Sequence, residues 1–150
     1  QKGADMLTHE IATKAQVTLD TVRFYTRKGL LEFHKDSDNG YKQYDAQALQ
    51  RLQFITQARR LGFSLKEIES IIATSQQGQS PCPDVRALMA QKIEQTQSKI
   101  EALQRDLQVM QQAFDTWQSQ ADGTPDDQSV CCLIETWNQQ QTGSQHKEKA

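Results

Sequence analysis

This sequence is poor in the residues that staple or punctuate a chain, with three cysteines, three prolines and seven glycines in 150 residues. One isolated thiol, Cys82, and one adjacent pair, Cys131 and Cys132, do not make the disulfide framework of a small secreted scaffold. In a reducing compartment such thiols are metal or redox candidates. Apolar residues are also sparse, at 36% with a mean hydropathy of −0.76. That is lean for a self-sufficient globule of this size, so part of the chain should be an exposed helix or be covered by a partner subunit. No apolar run approaches the roughly 20 residues that span a bilayer, and no signal-peptide pattern opens the chain. The expected location is the cytoplasm, with no membrane partner. The residues before Met6 are set aside from the reading of the fold. Beyond the thiols there is no cluster of acid, base and nucleophile, so an enzyme is not expected.

Charge is low and uneven. Within a net charge of −2, Met6 to Ala73 carries ten Lys/Arg against eight Asp/Glu, and Thr74 to Ala150 carries six against ten. A slightly basic front half on an acidic chain is compatible with nucleic-acid binding without establishing it.

The front half reads as a run of short elements. Thr8 to Lys14 is a helix that Thr8 can cap, with Leu7, Ile11 and Ala12 on its apolar side. After a break at Ala15-Gln16-Val17, Thr18 caps a second helix that Gly29 stops. Two short helices across a tight turn form a helix-turn-helix. Leu30 to Phe33 and Tyr41 to Tyr44 flank Asn39-Gly40, a hairpin signal that places a wing after it. Asp45 caps a helix to about Leu61, with Leu49, Leu52, Phe54, Ile55 and Ala58 turned inward and Gly62 at its end. Ser64-Leu65-Lys66-Glu67 is a capping box that opens another helix through Ile72.

The pattern then changes. Met89, Ile93, Thr96, Ile100, Leu103, Leu107, Met110, Phe114 and Trp117 recur at alternating steps of four and three, a coiled-coil seam with Thr96 its one polar member. A helix from Pro83 to Gln118 would be about 50 Å long, and no other segment could cover its stripe. A second copy of the chain is therefore expected to. The resulting expectation is a mainly α fold, in which 6–73 is a winged helix-turn-helix domain and 74–82 a linker. A dimerisation helix follows at 83–118, then an effector loop and short helix at 119–140 and a disordered tail at 141–150.

The second helix of a helix-turn-helix enters the major groove, which singles out Thr18, Thr21, Arg23 and Tyr25 for DNA contact. Arg23 can bond bidentately to guanine or to phosphate, and Tyr25 suits the backbone, while Phe24 reads as core. Lys35, Tyr41 and Lys42 of the wing suit phosphates. At the other site Cys82 stands between two prolines where a helix begins, a place that favours a thiolate ligand over a thiol. A buried, inert thiol is the other reading of the same position. Cys82 and Cys131 can meet only between two chains whose long helices run antiparallel.

The stretches TLDTVRFYTRKGLL (Thr18 to Leu31), DNGYKQY (Asp38 to Tyr44) and RRLGFSLKEIESII (Arg59 to Ile72) resemble the MerR family of transcription regulators. Pro81-Cys82-Pro83 and the CCLIE run further resemble its metal-sensing branch. The resemblance implies a homodimer with an antiparallel coiled coil, bound to a pseudo-palindromic promoter operator. It also implies activation of RNA polymerase through bending and untwisting of that DNA, and it adds Arg59 to the DNA contacts beside Tyr41 and Lys42. A basic wing position before Ser37 is customary there, and this chain has Asp36. The resemblance further implies an intersubunit site in which Cys82 marks a response to divalent thiophilic ions, Zn²⁺ first, with Cd²⁺, Pb²⁺ or Hg²⁺ as alternatives. Cys131 matches a loop ligand, but the customary earlier loop cysteine, near Gly123, is absent. Cys132 is the candidate to replace it, with Asp122, Asp126, Asp127 or water as a fourth ligand. A thiol stress sensor that uses no metal is the alternative from another class.

Overall fold

A computed structural model describes residues 5–137, so the expected tail at 141–150 and the end of the effector segment lie outside the described residues. The chain divides into two compact units, Gln1–Lys92 and Ile93–Ala150.

The first unit is the winged helix-turn-helix. Strand β1 (Met6–Leu7) leads into helix α1 (Thr8–Ala15). Thr8 is already helical, and the cap position belongs to Leu7, whose N–H donates to the Glu10 carboxylate at 3.0 Å. Gln16 takes a left-handed conformation with φ 57°, which turns the chain toward helix α2 (Leu19–Arg27). The Thr18 hydroxyl accepts from the Thr21 N–H at 3.1 Å, the cap that the sequence suggests. Gly29, at φ 78°, ends this segment.

The wing differs from expectation in its strands and in its turn. Leu30 and Leu31 are buried plugs, and the hairpin strands are β2 (His34–Lys35) and β3 (Lys42–Tyr44). β3 pairs antiparallel with both β2 and β1, in the order β1-β3-β2. The turn is longer than a two-residue Asn-Gly connection, because the Asp36 N–H donates to the Tyr41 carbonyl at 2.9 Å. One Asp36 oxygen accepts from the N–H groups of Asp38 and Asn39, and the other from the Gln43 amide at 3.0 Å. The Asp36 carboxylate thus builds the wing's turn.

Helices α3 (Ala46–Arg60) and α4 (Leu65–Gln76) complete the unit, capped by Asp45 and by the Ser64/Glu67 box. α4 runs three residues into the segment expected to be linker. Ile11, Val22, Leu52, Ile55 and Ile68 are fully buried, while Phe54, expected inside, is exposed. Tyr44 is buried with its hydroxyl 2.8 Å from that of Thr26, which donates to the Val22 carbonyl. The wing strand is thereby fastened to α2.

Helix α5 (Cys82–Gln118) begins in the first unit, where Val85, Leu88 and Met89 pack against the core. Met89, the first position of the expected seam, is thus engaged within its own chain. In the second unit Ala113 is the one buried residue among those described. Trp117 meets Trp137 edge-on at 6.1 Å, and its indole N–H donates to the Leu133 carbonyl at 3.0 Å, just after helix α6 (Cys132–Glu135) begins. The last seam position therefore anchors the short C-terminal helix of its own chain. Ile93, Ile100, Leu103, Leu107, Met110 and Phe114 are between 50% and 66% exposed. No helix among the described residues is long and apolar enough to cross a membrane.

Candidate nucleic-acid interface and thiol sites

Helix α2 and its cap carry Thr18, Thr21 and Arg23, the residues expected to meet DNA. Thr18 and Arg23 are exposed, and the two threonine hydroxyls lie 2.8 Å apart, so the capping turn is ordered before any ligand arrives. Arg23 lies 3.6 Å from Asp20 in an exposed pair. Such a pair contributes little in water and leaves the guanidinium free to exchange partners.

The two aromatic neighbours of Arg23 reverse their expected places. Tyr25 is 8% exposed and belongs to the core, whereas Phe24 is 37% exposed with the Lys28 ammonium 5.6 Å above its ring. Helical phase explains this, since Val22, Tyr25 and Thr26 fall on the buried side of α2 at steps of three and four. The Tyr25 ring therefore packs in the core, and its expected backbone contact rests on the hydroxyl alone.

On the wing, Lys35, Tyr41 and Lys42 are exposed, and the Lys42 ammonium lies 4.9 Å from the centre of the Phe33 ring. His34 Nε2 lies 3.0 Å from the Asp5 carboxylate and 3.1 Å from the Gln43 side-chain oxygen. A strip of polar side chains thus braces the sheet. Arg59 is exposed, and one of its guanidinium nitrogens donates to the Phe63 carbonyl at 3.1 Å, capping the turn between α3 and α4. This chemistry suits a polyanion, with cations on the recognition helix, the wing and the α3–α4 turn of one folded unit.

The three thiols are free, with Cys82 and Cys132 exposed and Cys131 half-buried. Cys82 opens α5, its N–H donating to the Ser80 hydroxyl at 3.3 Å. Cys131 precedes α6, and the Glu135 carboxylate accepts from the N–H groups of Val130 and Cys131 at 2.7 and 3.3 Å. The Cys132 sulfur lies 2.7 Å from where a Cβ would stand on Gly123. The thiol therefore fills the space that a side chain at 123 would need. Asp126 is tied into its own loop, and the N–H of Gln128 and the hydroxyl of Ser129 hold its carboxyl below the usual range. Among the described residues, no group of three or more His, Cys, Asp or Glu side chains is gathered as a metal centre. The thiols are soft donors of the kind that suit a thiophilic ion, and no described group of one chain gathers enough of them to hold it. His9 is exposed and His34 belongs to the wing, while His146 lies outside the described residues.

Sequence reasoning passed over two features of this surface. Asp36 reads as a departure from a basic position, although its spacing to Asn39-Gly40 is turn chemistry. Lys92 drew no attention, and its Nζ lies 2.6 Å from the Glu67 carboxylate and 5.6 Å from the centre of the Phe63 ring. The Lys92 hydrogen bond, followed by the Ser64 N–H, lowers the Glu67 carboxyl from 4.5 to about 2.

Comparison with known proteins bears on the whole surface. A family model described as "MerR, DNA binding" matches residues 49–123, half of the chain, and one described as "MerR HTH family regulatory protein" matches residues 6–75. A mercuric resistance operon regulatory protein of Bacillus cereus is 36% identical over 64% of this chain and 73% of its own length. The transcriptional regulator ZntR of Escherichia coli is 28% identical over 89% of this chain and 93% of its own. Among solved structures, the transcription regulator PbrR691 of Ralstonia metallidurans, in complex with lead(II), superposes with a TM-score of 0.67 at 26% identity. That superposition covers 87% of this chain and 98% of the other.

Proposed function

The chain belongs to the MerR family of DNA-binding transcription regulators, and from that premise we propose that it is a metal-responsive activator working as a homodimer on promoter DNA. The reading takes Thr18, Thr21 and Arg23 as the groove-facing residues, with Lys35, Tyr41, Lys42 and Arg59 on phosphates. The effector site is shared, with Cys82 of one protomer and Cys131 and Cys132 of the other as its thiolate donors. Regulators similar to this chain carry mercury in their name or lead(II) in their structure, which supports a soft divalent ion. Zn²⁺ comes first, with Cd²⁺, Pb²⁺ and Hg²⁺ as alternatives.

The contact between Cys132 and Gly123 carries the ligand assignment. The family resemblance implies a cysteine near this point of the loop, and here a glycine leaves room for a thiol that arrives from the start of α6. The same loop space is thus supplied with sulfur from another position. When bound, the ion would draw three thiolates of two chains together. The chain's own residues then set the spacing of two recognition helices, and RNA polymerase senses the result through distorted promoter DNA.

Titration of the reduced protein with Zn²⁺, Cd²⁺ and Pb²⁺ tests the site. Thiolate-to-metal absorbance should appear stoichiometrically with at least one ion and vanish in Cys82→Ser and Cys131→Ser variants. Absence of stoichiometric binding by these three ions and by Hg²⁺ would reject the metal reading in favour of thiol oxidation sensing.

A further inference from the structure

The first turns of α5 are tied to the DNA-binding unit more firmly than a linker would be. Val85, Leu88, Met89 and Lys92 recur at steps of three, one and three, which puts them on one face of the helix. The first three pack on the core of that unit, and Lys92 closes the row with a charged contact. Its ammonium reaches the Glu67 carboxylate, the same oxygen that accepts from the Ser64 N–H at 2.8 Å to cap α4. It also lies over the ring of Phe63, whose carbonyl accepts from Arg59. Lys92 and Glu67 are both half-buried, so water screens the pair less than it screens Arg23 and Asp20. One side chain thus joins α5 to the cap of α4 and to the turn that holds a proposed phosphate contact.

We propose that Lys92 is a positioning residue that locks the first three turns of α5, and with them Cys82, to the DNA-binding unit. Ten residues of helix separate Cys82 from Lys92, a rise of about 15 Å, too short a stretch of helix to absorb much motion. A pull on the Cys82 sulfur is then delivered to the body that contains α2 and the wing. Without the lock, the start of α5 could lift from the core, and the same pull would be absorbed locally. The functional part of this inference rests on Cys82 being an effector ligand. The mechanical part does not.

Lys92→Met keeps the aliphatic stem and removes the charge, and Lys92→Arg keeps the charge. Hydrogen exchange on the full-length protein, without metal, should show the amides from Val85 to Lys92 exchanging at least about tenfold faster in Lys92→Met, with α1 to α3 unchanged and Lys92→Arg close to the parent. The response is read on an operator selected from random duplex DNA by the unmutated dimer, with Cd²⁺ as the probe. Lys92→Met should bind Cd²⁺ with the parent's affinity and lose about tenfold in metal-dependent activation relative to basal transcription. Unchanged exchange at the start of α5 would overturn the lock. So would a loss of Cd²⁺ affinity in step with activation, which marks a merely structural residue. A parent protein that ignores Cd²⁺, Zn²⁺, Pb²⁺ and Hg²⁺ would reject the effector reading instead, with the lock still decided by the exchange rates.

Discussion

The two units of this chain treat their apolar residues in opposite ways. In the first, Ile11, Val22, Leu52, Ile55 and Ile68 are sealed from water by neighbours of the same chain. In the second, Ile100, Leu103, Leu107, Met110 and Phe114 lie at least half exposed along one helix, with Ala113 alone buried among the described residues. A row of large apolar side chains left open costs about 1.5–3 kcal/mol per residue relative to burial. The first unit buries its apolar residues within the chain, whereas the second leaves a row of them open, the row that the proposed homodimer would cover.

The sharpest way to break the contrast is to place charge on the seam. Leu107→Lys should turn a dimer into a monomer at micromolar concentration and cut operator affinity by more than about 100-fold, because two half-sites are no longer held together. Far-UV circular dichroism should show the first unit intact, and a folded dimer carrying the substitution would contradict the role of the seam. A smaller effect is expected at the finished half's working face. Arg23→Ala should weaken operator binding by about 1–3 kcal/mol in a fluorescence anisotropy titration, with no change in oligomeric state. Affinity equal to the parent's would remove α2 from the groove.

Two further predictions sharpen the comparison at its seams. The folded Glu67 carboxyl titrates near 2, below its ordinary 4.5, so the contact with Lys92 contributes stability above pH 4.5 that is lost as pH falls toward 2. Acid unfolding of Glu67→Gln should therefore be less steep than the parent's across that window, as followed by circular dichroism. Identical acid transitions would contradict the pairing. Least costly of all is Gly123→Ala, where the new Cβ meets only the end of a cysteine side chain, which can rotate aside. Its melting temperature should stay close to the parent's, while metal affinity falls by several-fold because Cys132 is turned away. Unaltered affinity would remove Cys132 from the ligand set.

How much of this was legible in the residues follows the same division. Caps and stops at Thr18, Asp45, Ser64, Gly29 and Gly62 are local chemistry, and each is found where its side chain or its freedom at positive φ requires. The wing was less readable, because two of its three strands are two residues long and its turn depends on Asp36 rather than on Asn39-Gly40 alone. Tyr25 and Phe24 exchanged places because adjacent helical positions differ by about 100°, and residue type cannot say which of two aromatics faces the core. The seam was readable as a period, but its ends were not. Met89 and Trp117 are taken up by contacts within the chain, and no heptad pattern distinguishes those from contacts with a partner. The thiols were visible as residue types. Their juxtaposition with Gly123 depends on how a loop folds, for which the sequence has no periodic signal.

Sedimentation equilibrium of the reduced, unmutated chain at micromolar concentration decides whether a second copy covers the seam. The open seam on α5 predicts a dimer of this 17.1 kDa chain. A monomer that keeps its long helix would contradict it, and with it the shared thiol site.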